Sequence, residues 1–262
     1  MAEETVKTGS RGGLGGGKAF SSTHIAFIAM FATLAAVLYI FDFSMPFAFP
    51  SFLSFKFSDI PILIGSFTLG PMYGAIITVV EILIKLVIKG TTTMFVGELS
   101  DLITSCVFAV TAGLVYKKHR TFKGALAAMG FGTLAEVTAA LLVNWLVLVP
   151  FYVQFFFHGH WEPLINMMRV LFPNCTRETF YAFYLWASVL PFNLLRCIVA
   201  NLVTLLVYKR ISRLINSVNH KIYGKPNRDG AKEKRVNIAL IAVGAVVVAL
   251  LITFALLKYF VF

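Results

Sequence analysis

The chain reads as an all-α integral membrane protein, and three observations carry that reading. Of its 262 residues, 58% are hydrophobic and 13% charged, with a mean hydropathy of +0.82. That is more apolar material than a soluble core of this size can hide. The apolar residues fall into runs long enough, as helices, to cross a bilayer core of about 30 Å. The basic residues behind the net charge of +11 lie between those runs rather than on one globular face, which fits orientation by lipid and argues against nucleic acid as a partner. Cys106, Cys175 and Cys197 show no metal-ligand spacing and imply no disulfide framework.

Residues 1–22 are Gly-rich and charged, without the apolar stretch and cleavage site of a secretory signal, and read as a disordered cytoplasmic tail. Within them, Gly12 to Lys18 fits the spacing G-x-x-x-x-G-K. Ala19 stands where a phosphate loop needs a Mg²⁺-binding hydroxyl, and no strand precedes it. Any ATP hydrolysis is therefore expected on another chain. Apolar runs and breakers then place helices at about 23–41, 56–70, 72–89, 96–116, 124–150 and 180–208. Gly70-Pro71 makes the second and third a tight hairpin, because proline cannot continue the preceding hydrogen bonds. Residues 23–210 thus form a six-helix membrane domain, 211–235 a basic cytoplasmic linker, and 236–262 a region with a further transmembrane helix.

Lys7, Arg11 and Lys18, the set Lys117 to Lys123, and the linker after the sixth helix fall on one side if each segment crosses once. By the positive-inside rule that side is cytoplasmic, which puts the N-terminus inside and the C-terminus outside a multi-pass cell-membrane protein. The connections 42–55, 90–95 and 151–179 then face outward.

Arg196 sits in an apolar run from Trp186 to Tyr208, where a guanidinium costs several kcal/mol unless it faces protein or a water-filled cavity. Counting about 1.5 Å per residue back from Lys209 places it roughly 20 Å above the inner interface. Asn193, one turn earlier, shares its face. Asn144, before Pro150, has a comparable depth, and Glu98 and Asp101 open the fourth helix from the same side. These residues assemble an outward-facing pocket between the fourth, fifth and sixth helices. Each also has a plainer reading. The Asn residues can bond neighbouring helices, Arg196 can bridge to Glu136 or helix carbonyls, and Glu98 can answer the positive end of its helix. Glu81 and Lys85 read as an i,i+4 pair with Lys85 extending outward. Trp145, Trp161 and Tyr152 read as interfacial anchors. Ala26, Ala29, Ala32, Ala35 and Ala36 give the first helix small faces, including Ala32-x-x-x-Ala36, which allow close approach of a partner helix or of this chain's own helices.

The stretch Phe55 to Gly74, with Glu81-Ile-Leu-Ile-Lys85, Gly97-Glu98-Leu99, Ala112 to Lys117, Asn144 to Tyr152, Leu190 to Arg196 and Tyr208-Lys-Arg, resembles the substrate-binding S components of energy-coupling factor (ECF) vitamin transporters, in particular the riboflavin-specific branch. The resemblance covers about residues 20–215. It implies a six-helix bundle, a vitamin pocket opening outward under loops, and assembly with a transmembrane coupling subunit and two ABC-type ATPases. It also implies flavin contacts by Asn144, Asn193 and Arg196; Glu98, from its place at the start of the fourth helix, is read as a further substrate contact at the mouth. On the first helix it implies a coupling-subunit contact through Ala29, Ala32 and Ala36. No cofactor or metal is expected, riboflavin being the cargo. Arg196 stands where the pattern has Lys, Asp101 where Asn is usual, and Thr91 to Phe95 is bulkier than the small loop expected, so another flat heterocycle remains an alternative ligand. The expected seventh helix lies outside the six of the family. Two further classes stay open at this point: a membrane enzyme, for which no partnered His or Ser is visible, and a structural or sensory membrane protein.

Overall fold

A computed structural model describes residues 22–45, 48–50 and 53–223, with the backbone alone for 23 and 208–223. The expected tail, the G-x-x-x-x-G-K segment and the seventh helix lie outside the described residues. Helix α1 is Ser22–Ile40. A two-stranded antiparallel ribbon follows, β1 Phe43–Ser44 with β2 Ser54–Phe55, Phe43 opposite Phe55. Next come α2 Asp59–Leu69, α3 Pro71–Lys89, α4 Val96–Lys118 and α5, which covers Phe122–Phe156. A short α6, Glu162–Arg169, precedes a π-helical stretch Ala182–Val189 that runs directly into α7, Leu190–Tyr223. The six long runs read from the sequence are therefore the helices of the bundle, while α6 and the ribbon are additions.

Four of these helices, at Pro71–Lys89, Val96–Lys118, Phe122–Phe156 and Ala182–Val207, are long and apolar enough to cross a membrane. The outside of the bundle is apolar as well: Leu83, Val87, Ile88, Phe131, Leu134, Trp145, Trp186, Leu202 and Leu206 are all exposed. In water this surface would aggregate, whereas hydrocarbon is its natural solvent. Trp145 belongs to this lipid-facing surface within α5 rather than to its end.

Helix α2 has 11 residues, about 16 Å of rise, and is shorter than the apolar run suggested. It touches α1, α3, α4 and α7, and all its residues but Ile60 are buried. A helix apolar on every side belongs in the middle of a bundle. The hairpin to α3 turns at Gly70 with φ +114°, a region that side chains other than glycine rarely enter, and Pro71 starts α3 where a missing N–H costs nothing. Ser66 donates to the Ala109 carbonyl at 2.7 Å, and Gly113 lets α4 close onto this turn, since a Cβ there would lie 2.9 Å from the Pro71 Cα.

Two expectations for the helices need correction. Ala32 is buried with Ala35 against α2 and α3, and Ala36 is buried as well, so neither Ala32 nor Ala36 is available to a partner, whereas Ala26 and Ala29 are exposed, as are Ser22 and Thr33. Small residues occupy two faces of α1, and the chain's own core takes one of them. Helix α5 does not stop near Pro150. It relaxes into π turns at Asn144–Leu148 and Tyr152–Phe156, with Val149–Phe151 a fresh α turn between them. The wider turn makes room for a ring that would otherwise strike the Leu146 carbonyl, and Pro150 falls in a first turn where its missing N–H is tolerated. At about 50 Å of rise α5 outruns a bilayer core and carries Tyr152 and Phe156 over one end of the bundle. Likewise α7 extends to Tyr223, into the region read as linker.

Candidate functional site

At that end of the bundle lies a cavity of about 550 Å³. This is within the usual range of small-molecule pockets, about 300–1,000 Å³. Its inner wall carries Ala140, Asn144, Thr104, Phe192, Asn193 and Arg196, and its mouth is bounded by Tyr39, Asp42, Ser54, Thr93, Tyr152 and Phe156. All four residues singled out for substrate contact, Asn144, Asn193, Arg196 and Glu98, line it, although they come from α4, α5 and α7.

The two amides are held by their own helices. The Asn144 Nδ2 donates to the Ala140 carbonyl at 2.8 Å and its Oδ1 accepts from the Tyr184 hydroxyl at 2.5 Å. The Asn193 Nδ2 donates to the Val189 carbonyl at 2.8 Å. Among the described residues, each keeps one amide hydrogen for the cavity, and Asn193 also keeps both lone pairs of its oxygen. A paired donor and acceptor at the inner wall suits a ligand edge that offers carbonyls and an N–H. Tyr184 was not visible as a site residue in the sequence. It belongs to the π-helical stretch before Pro191, is almost fully buried, and both lines the cavity and holds Asn144. Tyr184→Phe should lower ligand affinity by up to about tenfold, by freeing the Asn144 amide to turn, and should also lower the melting temperature, because the Asn144 oxygen loses a buried donor; equilibrium titration and thermal unfolding of the variant check this.

Arg196 combines two of the readings given for it. It faces the cavity, and it is also the centre of a buried charge cluster. One terminal nitrogen donates to Glu136, Nε lies 3.3 Å from Asp59, and the other terminal nitrogen is 3.9 Å from Asp101. Cys197 donates to the second Glu136 oxygen at 3.1 Å. Asp101 also meets Lys56 at 3.3 Å and accepts from the Tyr39 hydroxyl. Lys56 reaches Ser105 at 3.3 Å, and Ser105 donates to Asp59 at 2.9 Å. The carboxylates from α2, α4 and α5 thus converge on one guanidinium of α7, whose planar fork serves several partners at once in a way an ammonium does not. Lys56 and Asp59 precede and begin α2. Their signal in the sequence was a basic and an acidic residue placed directly before a fully apolar helix.

Lys85 does not pair with Glu81. It turns inward and bonds Glu98 across the α3–α4 junction, while Glu81 is buried. Glu98 outcompetes the helical neighbour because it is already fixed: Thr91 and Thr93 donate to its Oε2 at 3.0 and 2.8 Å. The same hydroxyls accept from the backbone N–H groups of Phe95 and Gly97 at 3.0 and 3.1 Å. They steady a turn in which Met94 and Phe95 take positive φ of 49° and 68°. So Thr91 to Phe95, read as a bulky loop, is an ordered rim, and Thr92 and Thr93 face the cavity. Tyr152, read as an interfacial anchor, is a cavity wall; Trp161 stacks edge-on against Phe180 under Arg177.

Residues 23–208 match the family of ECF transporter substrate-specific components. The chain belongs to this family. Among its relatives, the riboflavin transporter RibU of Staphylococcus aureus is 26% identical over 191 residues, covering 73% of this chain and 91% of that one. The riboflavin transporter FmnP of Bacillus subtilis is 24% identical over 185 residues, covering 70% and 89%. A solved structure, described as the S component of a bacterial ECF transporter, superposes with a TM-score of 0.55 at 25% identity over 73% of this chain and 96% of that one. This S component is therefore a membrane protein that supplies substrate specificity to a larger transporter. The cavity is built from elements that all fall within the matched region.

Proposed function

We propose that this S component captures riboflavin from outside the cell and delivers it inward as part of an ATP-driven uptake transporter. The observation that carries the reading is the pair of fixed amides, Asn144 and Asn193, in a cavity whose apolar wall includes Leu148, Val149, Tyr152, Phe156, Leu164 and Phe192. An isoalloxazine has a pyrimidine edge with two carbonyls and an imide N–H between them, and a flat apolar body. Asn193 accepts from the imide, Asn144 donates to a carbonyl, and the aromatic and aliphatic walls take the ring. The riboflavin-transporting relatives support the same ligand. The mouth faces outward and the N-terminus lies in the cytoplasm, as the positive loops indicate. ATP is hydrolysed by two ABC-type partner subunits joined through a transmembrane coupling subunit, with no cofactor resident on this chain. The face of α1 bearing Ala26, Ala29 and Thr33 is exposed and small, and serves as the helix contact with that coupling subunit.

Mass spectrometry of the small molecule retained by the purified full-length protein tests the ligand. Riboflavin is the expected species; recovery of an unrelated heterocycle would transfer the site to that compound.

A further inference from the structure

The cavity takes up the first turns of α4 and the far part of α5; the opposite ends of these two helices meet in a turn that carries a cluster of cations. Lys117 and Lys118 close α4, and Arg120 and Lys123 bracket the start of α5. Residues 117–123 are all exposed. Among the described residues these four cations have neither a carboxylate nor an aromatic ring as partner. That sets them apart from the others. Lys56, Lys85, Lys89 and Arg196 are held by carboxylates, Arg169 by Glu162 and the Cys175 carbonyl, and Arg177 lies over the Trp161 ring. The imbalance is written in the sequence, which has no acidic residue between Asp101 and Glu136 or between Glu178 and Asp229. Helix α7 brings more positive charge to the same end. Its Leu205 packs against the cluster that holds Tyr116 and Ala125, so Lys209 and Arg210 follow about one turn further along.

Water alone could solvate such a cluster, but the surface that continues from it is apolar. Phe122, Leu126, Phe131 and Leu134 are each more than half exposed, and Ala127 and Gly130 between them are exposed as well. From Lys123, the positions 126, 127, 130, 131 and 134 recur at helical spacing and form one strip along α5. Between Lys123 and Leu134 the helix rises about 16 Å, and one leaflet's share of a bilayer core is about 15 Å. A cationic head joined to an apolar strip of one leaflet's depth matches the two parts of a phospholipid. A soluble anion would answer the charge and leave the strip uncovered. On this basis we infer that the α4–α5 turn binds an anionic phospholipid, with Lys117, Lys118, Arg120 and Lys123 about the headgroup phosphate and the acyl chains along Leu126, Phe131 and Leu134. A zwitterionic headgroup is a poorer occupant, because its own cation meets four that lack a counter-charge. The contact holds this turn at headgroup depth and so steadies the tilt of the bundle.

The site is remote from the cavity, so the inference needs neither the riboflavin reading nor a choice of which side is cytoplasmic. Full-length protein in a neutral detergent is titrated with dioleoyl phosphatidylglycerol or dioleoyl phosphatidylcholine, and bound lipids are counted by native mass spectrometry. The wild type is expected to bind the first phosphatidylglycerol at least about tenfold more tightly than phosphatidylcholine, with the preference shrinking as salt is raised. Lys117→Gln/Lys118→Gln/Arg120→Gln/Lys123→Gln should cut that preference at least about fivefold while the melting temperature without lipid stays the same. Lys123→Gln alone, a single exposed change, should cut it by a smaller factor and serves if the fourfold variant is unstable. Lys209→Gln/Arg210→Gln/Arg213→Gln should keep most of it. Glycerol 3-phosphate, which has the charge without the chains, should not displace the lipid at equal concentration. Equal binding of the two lipids by the wild type overturns the inference. A preference that survives the changes at 117–123 and disappears with those at 209–213 overturns the assignment to the α4–α5 turn. Displacement by glycerol 3-phosphate would make this a site for a soluble anion and overturn the lipid. Loss of partner subunits from the purified transporter in the fourfold variant, with no lipid preference in the wild type, would make it a subunit contact instead.

Discussion

Arg196→Ala is expected to abolish flavin binding and to lower the thermal stability of the protein in detergent by many degrees. The guanidinium is 4% exposed and is the shared counter-charge of Asp59, Asp101 and Glu136, contributed by three different helices. Removing one partner of a buried pair leaves an uncompensated charge and costs about 3–5 kcal/mol; here three carboxylates lose it together, with Lys56 left as the nearest cation. The cavity wall would also collapse or hydrate, because Arg196 forms part of it. Arg196→Lys should fall between. An ammonium keeps the charge but cannot present separate nitrogens to Asp59 and Glu136 in one plane, so the fold should survive with binding reduced. Thermal unfolding and flavin titration on the same preparations check both variants. An alanine variant as stable as the wild type would mean that the carboxylates are not relying on Arg196.

The second large effect is expected at the amides. Asn144→Ala and Asn193→Ala should each weaken riboflavin binding about 10- to 100-fold, because a ligand carbonyl or imide N–H buried without its partner loses about 1–3 kcal/mol. The double variant should lose more than either alone, and near-additivity would mean that the two amides grip different atoms of the edge. Both side chains bond the carbonyl four residues back in their own helices, so part of any stability change is local. Asn193→Asp adds a finer test. A carboxylate keeps the acceptor for the imide N–H but loses the donation to Val189, and its loss of affinity should be smaller than that of Asn193→Ala. Titration of riboflavin fluorescence reads all of these.

Much of this was legible in the chain itself. Long apolar runs and the Gly70-Pro71 break locate the bundle helices because membrane helices must satisfy their own backbones, which leaves sequence little freedom. The expense of Arg196 marked it for a partner, and Glu136 is among those it has. Depth along helices brought Asn144 level with Arg196 and its neighbour Asn193, and the start of the fourth helix put Glu98 on the same side; all four border one cavity. What escaped was decided between elements. Lys85 had an eligible partner one turn away in Glu81, yet the end of α3 abuts the start of α4, and Thr91 and Thr93 had already positioned Glu98. The alanines of α1 define faces by their spacing, but which face meets the core depends on α2 and α3, and these took Ala32 and Ala35, with Ala36 buried as well. The π turns around Pro150 and before Pro191 follow from a proline's bulk inside a helix that packing keeps intact, a contest that periodicity alone does not resolve. Tyr184, which reaches Asn144, lies in such a turn.

The central claim is that the cavity bounded by Asn144, Asn193, Arg196 and Glu98 holds riboflavin. It is tested most directly by titrating riboflavin with the purified full-length protein and following flavin fluorescence. Saturable quenching at one flavin per chain, weakened in Asn193→Ala, is the predicted result. Flavin that stays fully fluorescent with folded protein in large excess, or quenching unchanged by that variant, would contradict it.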